Sequence, residues 1–426
     1  MGLLGIVVLL GIAWAASSDR RRALDARVMA WGLGLQTATA IVALRTPIGA
    51  RLYLWANKLA VAFIGFSDAG IRFVFGDWPG VTIVQTPGPG PDGGAPVPVP
   101  VTVGFVLAVK VLPIIVFIAA LMAVLYHLGV MQRVVHALAR ALSRAMRISG
   151  AEALSAVGDI FLGMTEAPLL VRPYVARMTE SELFTLMTAG MATIAGTVLL
   201  AYVAMGIDAG FLVTASFMGV PAAVMIAKIM VPETATPETA VVPGKPLRVD
   251  IPRLDVNVID AAARGASEGL HLALNVGAML VAFVALVHMV DRGVGALASL
   301  FGHPDVTLSR LLGWPLAPLA FVMGVPWSEA PLVGSLLGTK TVLNEFLAFR
   351  ELAVHAARLT PRALRITTFA LCGFANFGSL AIVLGGVGAI APERRRDLAR
   401  LGLRAILAGS LATFLTGTIA GLVGGP

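Results

Sequence analysis

Apolar stretches close to twenty residues long recur along the whole chain, and no other feature narrows its fold as much. A helix needs about 20 apolar residues to cross about 30 Å of hydrocarbon. Backbone in lipid must also satisfy its own hydrogen bonds, which leaves helices as the natural spanning element. Spans read as roughly 2–16, 28–45, 101–127, 183–207, 209–231, 269–290, 363–390 and 398–423. With 58% hydrophobic and 13% charged residues and a mean hydropathy of +0.87, the chain lies outside the range of soluble domains. Its net charge of +8 goes with arginines that cluster in short loops at 20–22, 133–147 and 394–396. Short basic loops are the positive-inside pattern of cytoplasmic connections, not a nucleic-acid footprint.

Ala13-Trp14-Ala15 resembles a signal-peptidase site, but the basic cluster follows the apolar run instead of preceding it. That order reads as an uncleaved span with its N-terminus outside. With no export or organelle signal in view, the expected location is a bacterial inner (plasma) membrane. The single cysteine, Cys372, excludes an internal disulfide and reads as packing. Residues 47–77 read as a mixed helical stretch partly at an interface, 78–100 as an irregular external Gly/Pro loop, and 232–256 as a polar cytoplasmic linker. In 132–147, Arg133, His136, Arg140, Arg144 and Arg147 alternate at helical spacing with Val134, Val135, Leu138 and Leu142. That pattern predicts an amphipathic helix lying on the cytoplasmic interface.

Two segments are too broken to be simple spans. After 149–162, Gly163 interrupts, Thr165 can cap a new helix, and Pro168 falls in its first turn, where a missing N–H costs nothing. The stretch 313–356 is interrupted by Pro315, Pro318, Pro326 and Pro331. Both read as re-entrant hairpins, tolerated at membrane depth only where protein buries the tip. Each tip carries a carboxylate, Glu166 after Thr165 and Glu345 after Asn344. A charge at that depth is expensive and normally faces a protein-lined cavity. A buried ion pair of Glu166 with Arg172 is the competing reading.

Each hairpin is followed by a small-residue span, and the two align at an offset of 183: Gly190-Met191-Ala192-Thr193-Ile194-Ala195-Gly196 with Gly373-Phe374-Ala375-Asn376-Phe377-Gly378-Ser379. Small residues at this density permit close backbone approach and weaken helices enough to break them. Ser328-Glu329-Ala330-Pro331 copies Thr165-Glu166-Ala167-Pro168, yet spacing favours Glu345 as the counterpart. Glu166 lies 27 residues before Thr193 and Glu345 lies 31 before Asn376, whereas Glu329 lies 47 before it. Counting spans places the hairpins on opposite sides, so the halves form an inverted repeat around a midplane site, the recurring plan of secondary transporters. Lys110 reads as a snorkelling or paired cation, and His271 and His288 as packing or interface histidines.

Several blocks in order, including 163–174, 187–206, Leu272-Ala273-Leu274-Asn275-Val276-Gly277, Gly324-Val325-Pro326-Trp327, Lys340-Thr341-Val342-Leu343-Asn344-Glu345-Phe346 and 372–395, make the chain resemble the concentrative nucleoside transporter family over nearly its whole length. The resemblance implies an all-α polytopic membrane protein of about eight transmembrane helices plus two opposed re-entrant hairpins. It also implies scaffold and transport domains in a homotrimer, and nucleoside:cation symport into the cell by alternating access. The expected division is N-terminal scaffold helices in 1–127, and interfacial helix, first hairpin and first transport repeat in 128–231. A cytoplasmic linker follows in 232–268, then a scaffold helix and interfacial segment in 269–312, then second hairpin and second transport repeat in 313–426.

Carried over residue by residue, the resemblance assigns the base to Gly163, Met164, Thr165 and Glu166, with Val198 and Phe374 alongside, and the ribose to Glu345, Asn376 and Ser379. It assigns sodium to Asp159, Leu162, Thr193 and Ile194, some through backbone carbonyls. Met164 replaces the family's usual Gln and removes an amide that could bond a base. Asp159 replaces its usual Asn, and can ligate sodium as a hard oxygen donor or act as the proton carrier. The chemistry suits a neutral, hydroxyl-rich, uridine-like cargo. Glu345 can accept charge-assisted hydrogen bonds, Asn376 both donates and accepts, and Phe374 offers an aromatic face. Cation binding beside Thr165-Glu166 would order the tip and raise nucleoside affinity, reciprocally. The competing class is a nucleoside-permeable or ion channel without gradient coupling. No cofactor is expected, and with no nucleophile–base pair or phosphate loop the chain does not read as an enzyme.

Overall fold

The computed structural model describes residues 1–76, 82–85, 99–102, 106–240, 255–300, 302 and 307–425. Much of the 78–100 loop and of the 232–256 linker lies outside them. Helix α1 (Gly2–Ala15) leads to α2 (Ala26–Arg45), whose N-cap Asp25 accepts from the Arg27 and Val28 amides. Thr46 then caps α3 (Pro47–Phe75), one continuous 29-residue helix where the sequence suggested a mixed stretch. Within the loop read as irregular, β1 (Thr82–Gln85) pairs antiparallel with β2 (Val99–Thr102). The span expected from 101 starts later, as α4 (Leu107–Lys110) and α5 (Leu112–His127). Lys110 reaches α3 and pairs with Asp68 at 2.8 Å. Helix α6 (Val130–Met146) is two-faced: Met131, Val135, Ala139 and Leu142 are buried, and Arg133, Arg140 and Arg144 are exposed, as is Val134 of the expected apolar set.

The first broken segment is shorter than its sequence suggests. Helix α7 (Gly150–Gly158) starts with a capping box between Ser149 and Glu152 and ends at Gly158. Beyond the tip come a 3₁₀ turn (Ala167–Val171) and α8 (Arg172–Val175). Glu166, not Thr165, occupies the N-cap position, and its side chain makes no capping bond. Pro168 does sit in the first turn. The next span divides into α9 (Glu180–Ala192) and α10 (Gly196–Ala204), and α11 (Ala209–Met230) follows. At the α11 end, buried Lys228 bonds Glu152 at 2.5 Å, Glu233 at 3.3 Å and Ser181 Oγ at 2.9 Å, which locks the starts of α7 and α9 together.

Helix α12 (Val258–Ser299) runs 42 residues and begins inside the stretch read as linker. Helix α13 (Leu308–Met323) contains Pro315 and Pro318 without ending; the break comes at Gly324, at φ +110. The second broken segment is α14 (Ala330–Val342) and α15 (Glu345–His355), packed on each other across Leu343-Asn344. The stretch expected as one span, 363–390, is α16 (Pro361–Leu371) and α17 (Phe377–Ile390), and α18 (Arg395–Val423) closes the chain. Buried between α9, α11 and α16, α18 satisfies Thr413, Thr416 and Thr418 with its own carbonyls.

The breaks of the two aligned spans meet. A Cβ at Gly373 would stand 2.9 Å from the Met191 carbonyl oxygen, and one at Gly219 would stand 2.9 Å from that of Ala192. No larger residue lets these backbones touch. Among the described residues six helices are long and apolar enough to cross a membrane; α1 and α17 are apolar but shorter.

Candidate functional site

Three helices open on one central cavity of about 700 Å³, within the range of small-molecule sites. Their N-cap residues Ala195 (α10), Asn344 (α15) and Asn376 (α17) all line it. Asn344 Oδ1 accepts from the Leu347 amide and Asn376 Oδ1 from the Ser379 amide, each at 2.8–2.9 Å. These caps fix the first turns, and positive helix ends gather around the cavity.

Glu345 stands in the first turn of α15 and is only 7% exposed. Its Oε1 accepts from Tyr202 O–H at 2.9 Å and its Oε2 from Asn376 Nδ2 at 2.9 Å. Each oxygen keeps a lone pair, and Asn376 keeps a second N–H, so the group can still receive and give bonds to hydroxyls. Behind it, buried Lys340 donates to Ala370 O at 2.8 Å and Thr413 Oγ1 at 2.7 Å, with the Phe414 ring 5.6 Å away. Those bonds tie α14 to α16 and α18. Glu329 faces elsewhere, accepting from Thr360.

Gly163, Met164, Thr165 and Glu166 bring the first tip to the same cavity. Val198, Phe374 and Ser379 complete the expected set, so all nine candidate substrate residues line one space. The Glu166 side chain forms no hydrogen bond or ion pair among the described residues, and the suggested pairing with Arg172 is absent from them. Glu166 also borders a second cavity, together with Leu162, Arg172 and Thr197, which leads to Arg264. Arg264 is held by Asp255 at 2.6 Å and Glu268 at 2.8 Å. Its guanidinium keeps the Asp255 carboxyl below the ordinary carboxylate range.

The segments that carry the candidate cation residues also adjoin. A Cβ at Gly196 would meet the Phe161 carbonyl oxygen at 3.1 Å, which sets the 159–162 turn against the start of α10. Asp159 is 2% exposed, and neither of its oxygens has a hydrogen-bond partner. Thr193 and Ile194 lie between α9 and α10, outside both helices. Thr193 Oγ1 donates to Ala189 O at 2.9 Å, leaving its oxygen able to accept or ligate. An orphaned carboxylate beside non-helical backbone is a donor set that suits a hard cation.

Two parts of the wall escaped the sequence reading. Tyr202 lies one turn beyond Val198 on α10, so i,i+4 spacing from a named residue could have found it. Helix α12 contributes Glu268, His271, Leu272, Asn275, Val276 and Met279. Polar groups at helical spacing in an apolar span were the available signal. His271, read as a packing or interface histidine, lies exposed on the cavity wall, with Nδ1 2.8 Å from Ser267 O.

Comparison with known proteins accounts for most of the chain. Residues 4–78 and 211–421 match the models described as Na+ dependent nucleoside transporter N-terminus and C-terminus, and 108–209 match one described as nucleoside recognition. The chain is 38% identical to the nucleoside permease NupC of Helicobacter pylori over 99% of this chain and 96% of that protein. It is 42% identical to YutK, an uncharacterized transporter of Bacillus subtilis, over 99% and 98%. Among solved structures, CNTnw in an inward-facing substrate-bound state superposes with a TM-score of 0.88 at 43% identity, covering 100% of this chain and 98% of that one. A CNTnw variant in an outward-facing state gives 0.87 at 43% identity, covering 99% and 97%.

Proposed function

We infer the function from one premise: the chain belongs to the Na+-dependent, concentrative nucleoside transporter family. It is a membrane transporter of nucleosides and not an enzyme. We propose that it carries nucleosides into the cell by cation-coupled symport, with sodium as the coupled ion, through alternating access in a bacterial inner membrane.

One observation carries the proposal: segments far apart in sequence converge on one cavity, with Glu345 anchored at its centre. In this reading Glu345, Asn376 and Ser379 hold the ribose, and charge-assisted bonds to Glu345 are the strongest contacts. Phe374, Val198 and Met164 flank the base, while Thr165 and Glu166 bond its edge. Asp159 and Thr193, with backbone carbonyls of Leu162 and Ile194, hold the cation. Asp159 and the 163–166 tip belong to one short segment, so an ion fixing the first would order the second. That coupling raises nucleoside affinity, and nucleoside raises ion affinity by the same factor. CNTnw has both inward-facing and outward-facing structures, in keeping with alternating access here.

The proposed mobile unit comprises 128–231 and 313–426, moving against scaffold helices in 1–127 and 269–312, with 232–268 as linker. The α12 residues that line the cavity from His271 onward would then form its stationary wall. Apolar side chains along α12, such as Leu274, Val281 and Leu297, are exposed in the single chain, and lipid or a neighbouring copy in the proposed homotrimer would cover them.

The deciding experiment is uptake of labelled uridine into proteoliposomes with imposed gradients. An inward sodium gradient should drive accumulation above equilibrium, and dissipating it should abolish the excess. Equilibration indifferent to any gradient would assign the protein to the channel class. Accumulation driven by a proton gradient without sodium would reassign the coupled ion.

A further inference from the structure

A groove of about 540 Å³, sharing no lining residue with the central cavity, lies between α2, α6, α7 and α11. Its floor and walls are apolar, including Leu35, Leu142, Val157 and Phe217, and its lining contains no acidic residue. Two arginines, Arg27 and Arg144, stand at one end. Trp31 and Phe217, 44% and 37% exposed, flank it as an open rim.

The groove has a polar end and an apolar end in the order a membrane requires. Arg27 falls in the first turn of α2, just after the basic 20–22 cluster. From Arg27 the lining continues along α2 through Trp31 and Leu35 to Thr39. Twelve residues of helix span about 18 Å, comparable with the about 15 Å of hydrocarbon in one leaflet. Trp31 sits one turn inside the charged end, the depth at which indole rings gather.

Charge decides between kinds of occupant. Arg27 Nε and one terminal nitrogen donate to the Ala145 and Arg144 carbonyls, which fixes the guanidinium at the C-terminal end of α6 and leaves its other N–H groups uncommitted. The Arg144 guanidinium is exposed, with no partner among the described residues. Asp25 is the nearby acid, and it is engaged in capping α2. Basic pockets between helices on the cytoplasmic side are the recurrent sites of anionic lipid headgroups.

We propose that this groove binds one anionic phospholipid of the cytoplasmic leaflet. Its phosphate lies between Arg27 and Arg144, and an acyl chain runs along Leu35 and Phe217. Val157 and Ile160, which bracket the Asp159 turn in sequence, form the back wall, so the lipid would brace that turn from behind.

The test equilibrates the purified full-length protein with equal phosphatidylglycerol and phosphatidylcholine, and reads retained lipid by native mass spectrometry. At about fivefold per arginine, phosphatidylglycerol should be preferred by about 25-fold. Arg144→Gln should cut that preference about fivefold, and Ala141→Trp, which fills the groove without changing charge, should release both lipids. Equal retention of the two lipids by the wild type would overturn the proposal, as would undiminished retention by Ala141→Trp. Should either variant misfold, the wild type still decides. Brominated phosphatidylglycerol should quench the emission component that Trp31→Phe removes more strongly than brominated phosphatidylcholine does, and equal quenching refutes the site. A disulfide between Phe217→Cys residues of two copies would instead assign the groove to a subunit interface.

Discussion

The two hairpin tips present their acidic groups to the same cavity in opposite conditions. At the second tip, Glu345 has both oxygens occupied, by Tyr202 and Asn376, and the adjoining α14 is tied down through Lys340. Its helix is capped by Asn344 and starts at the glutamate itself. At the first tip, Glu166 caps nothing and pairs with nothing among the described residues, and Asp159 is buried with both oxygens orphaned. A buried acceptor without a donor costs about 1–3 kcal/mol, and more when charged. The second tip is therefore preorganised by protein, whereas the first gains its missing partners only from what it binds. On the proposed reading both tips touch the substrate, while the coupled ion adjoins the first tip alone.

Substitutions can break or sharpen this contrast. Glu345→Gln carries the largest expected effect. One amide N–H would face a donor, Tyr202 or Asn376, and the charge-assisted bonds would be lost, so uridine uptake should fall about 100-fold with assembly intact. Wild-type-like uptake would remove Glu345 from the site.

Asp159→Asn probes the tip that lacks partners. The sodium concentration for half-maximal uptake should rise about tenfold, while uridine affinity at saturating sodium changes little. An unchanged response when sodium and pH are varied independently would detach Asp159 from the coupled ion. Tyr202→Phe removes one bond that preorganises Glu345, and should weaken uridine affinity about tenfold without moving the sodium dependence measured at saturating uridine. A shift in sodium dependence under those conditions would show that the second tip also acts on the ion. The smallest effect belongs to Met164→Gln, which restores an amide beside the base. It should change the ratio of purine to pyrimidine uptake about fivefold at constant maximal rate. An unaltered ratio would place Met164 outside base contact.

The class of the molecule and its two acidic tips were readable because their signals are local. Apolar length reports the solvent, and a carboxylate in such a stretch reports a cavity, whatever the rest of the chain does. The spacing to Thr193 and Asn376 even separated Glu345 from the closer lookalike Glu329, which points to Thr360 instead. Local signals failed where neighbours decide. Thr165 has the chemistry of a cap, but the chain turns as a 3₁₀ helix one residue later. Pro315 and Pro318 have the chemistry of breakers, but α13 continues through them.

Sequence alone determined a polytopic helical membrane protein with an internal repeat, and a family resemblance supplied the residues proposed for its site. Only the tertiary structure decided that Tyr202 and Asn376 complete Glu345, that Asp159 is left without donors, and that α12 supplies a wall of Glu268, His271 and Asn275. Periodicity tells which face of a helix is apolar, whereas a hydrogen bond between residues 143 apart exists only once every intervening element has packed.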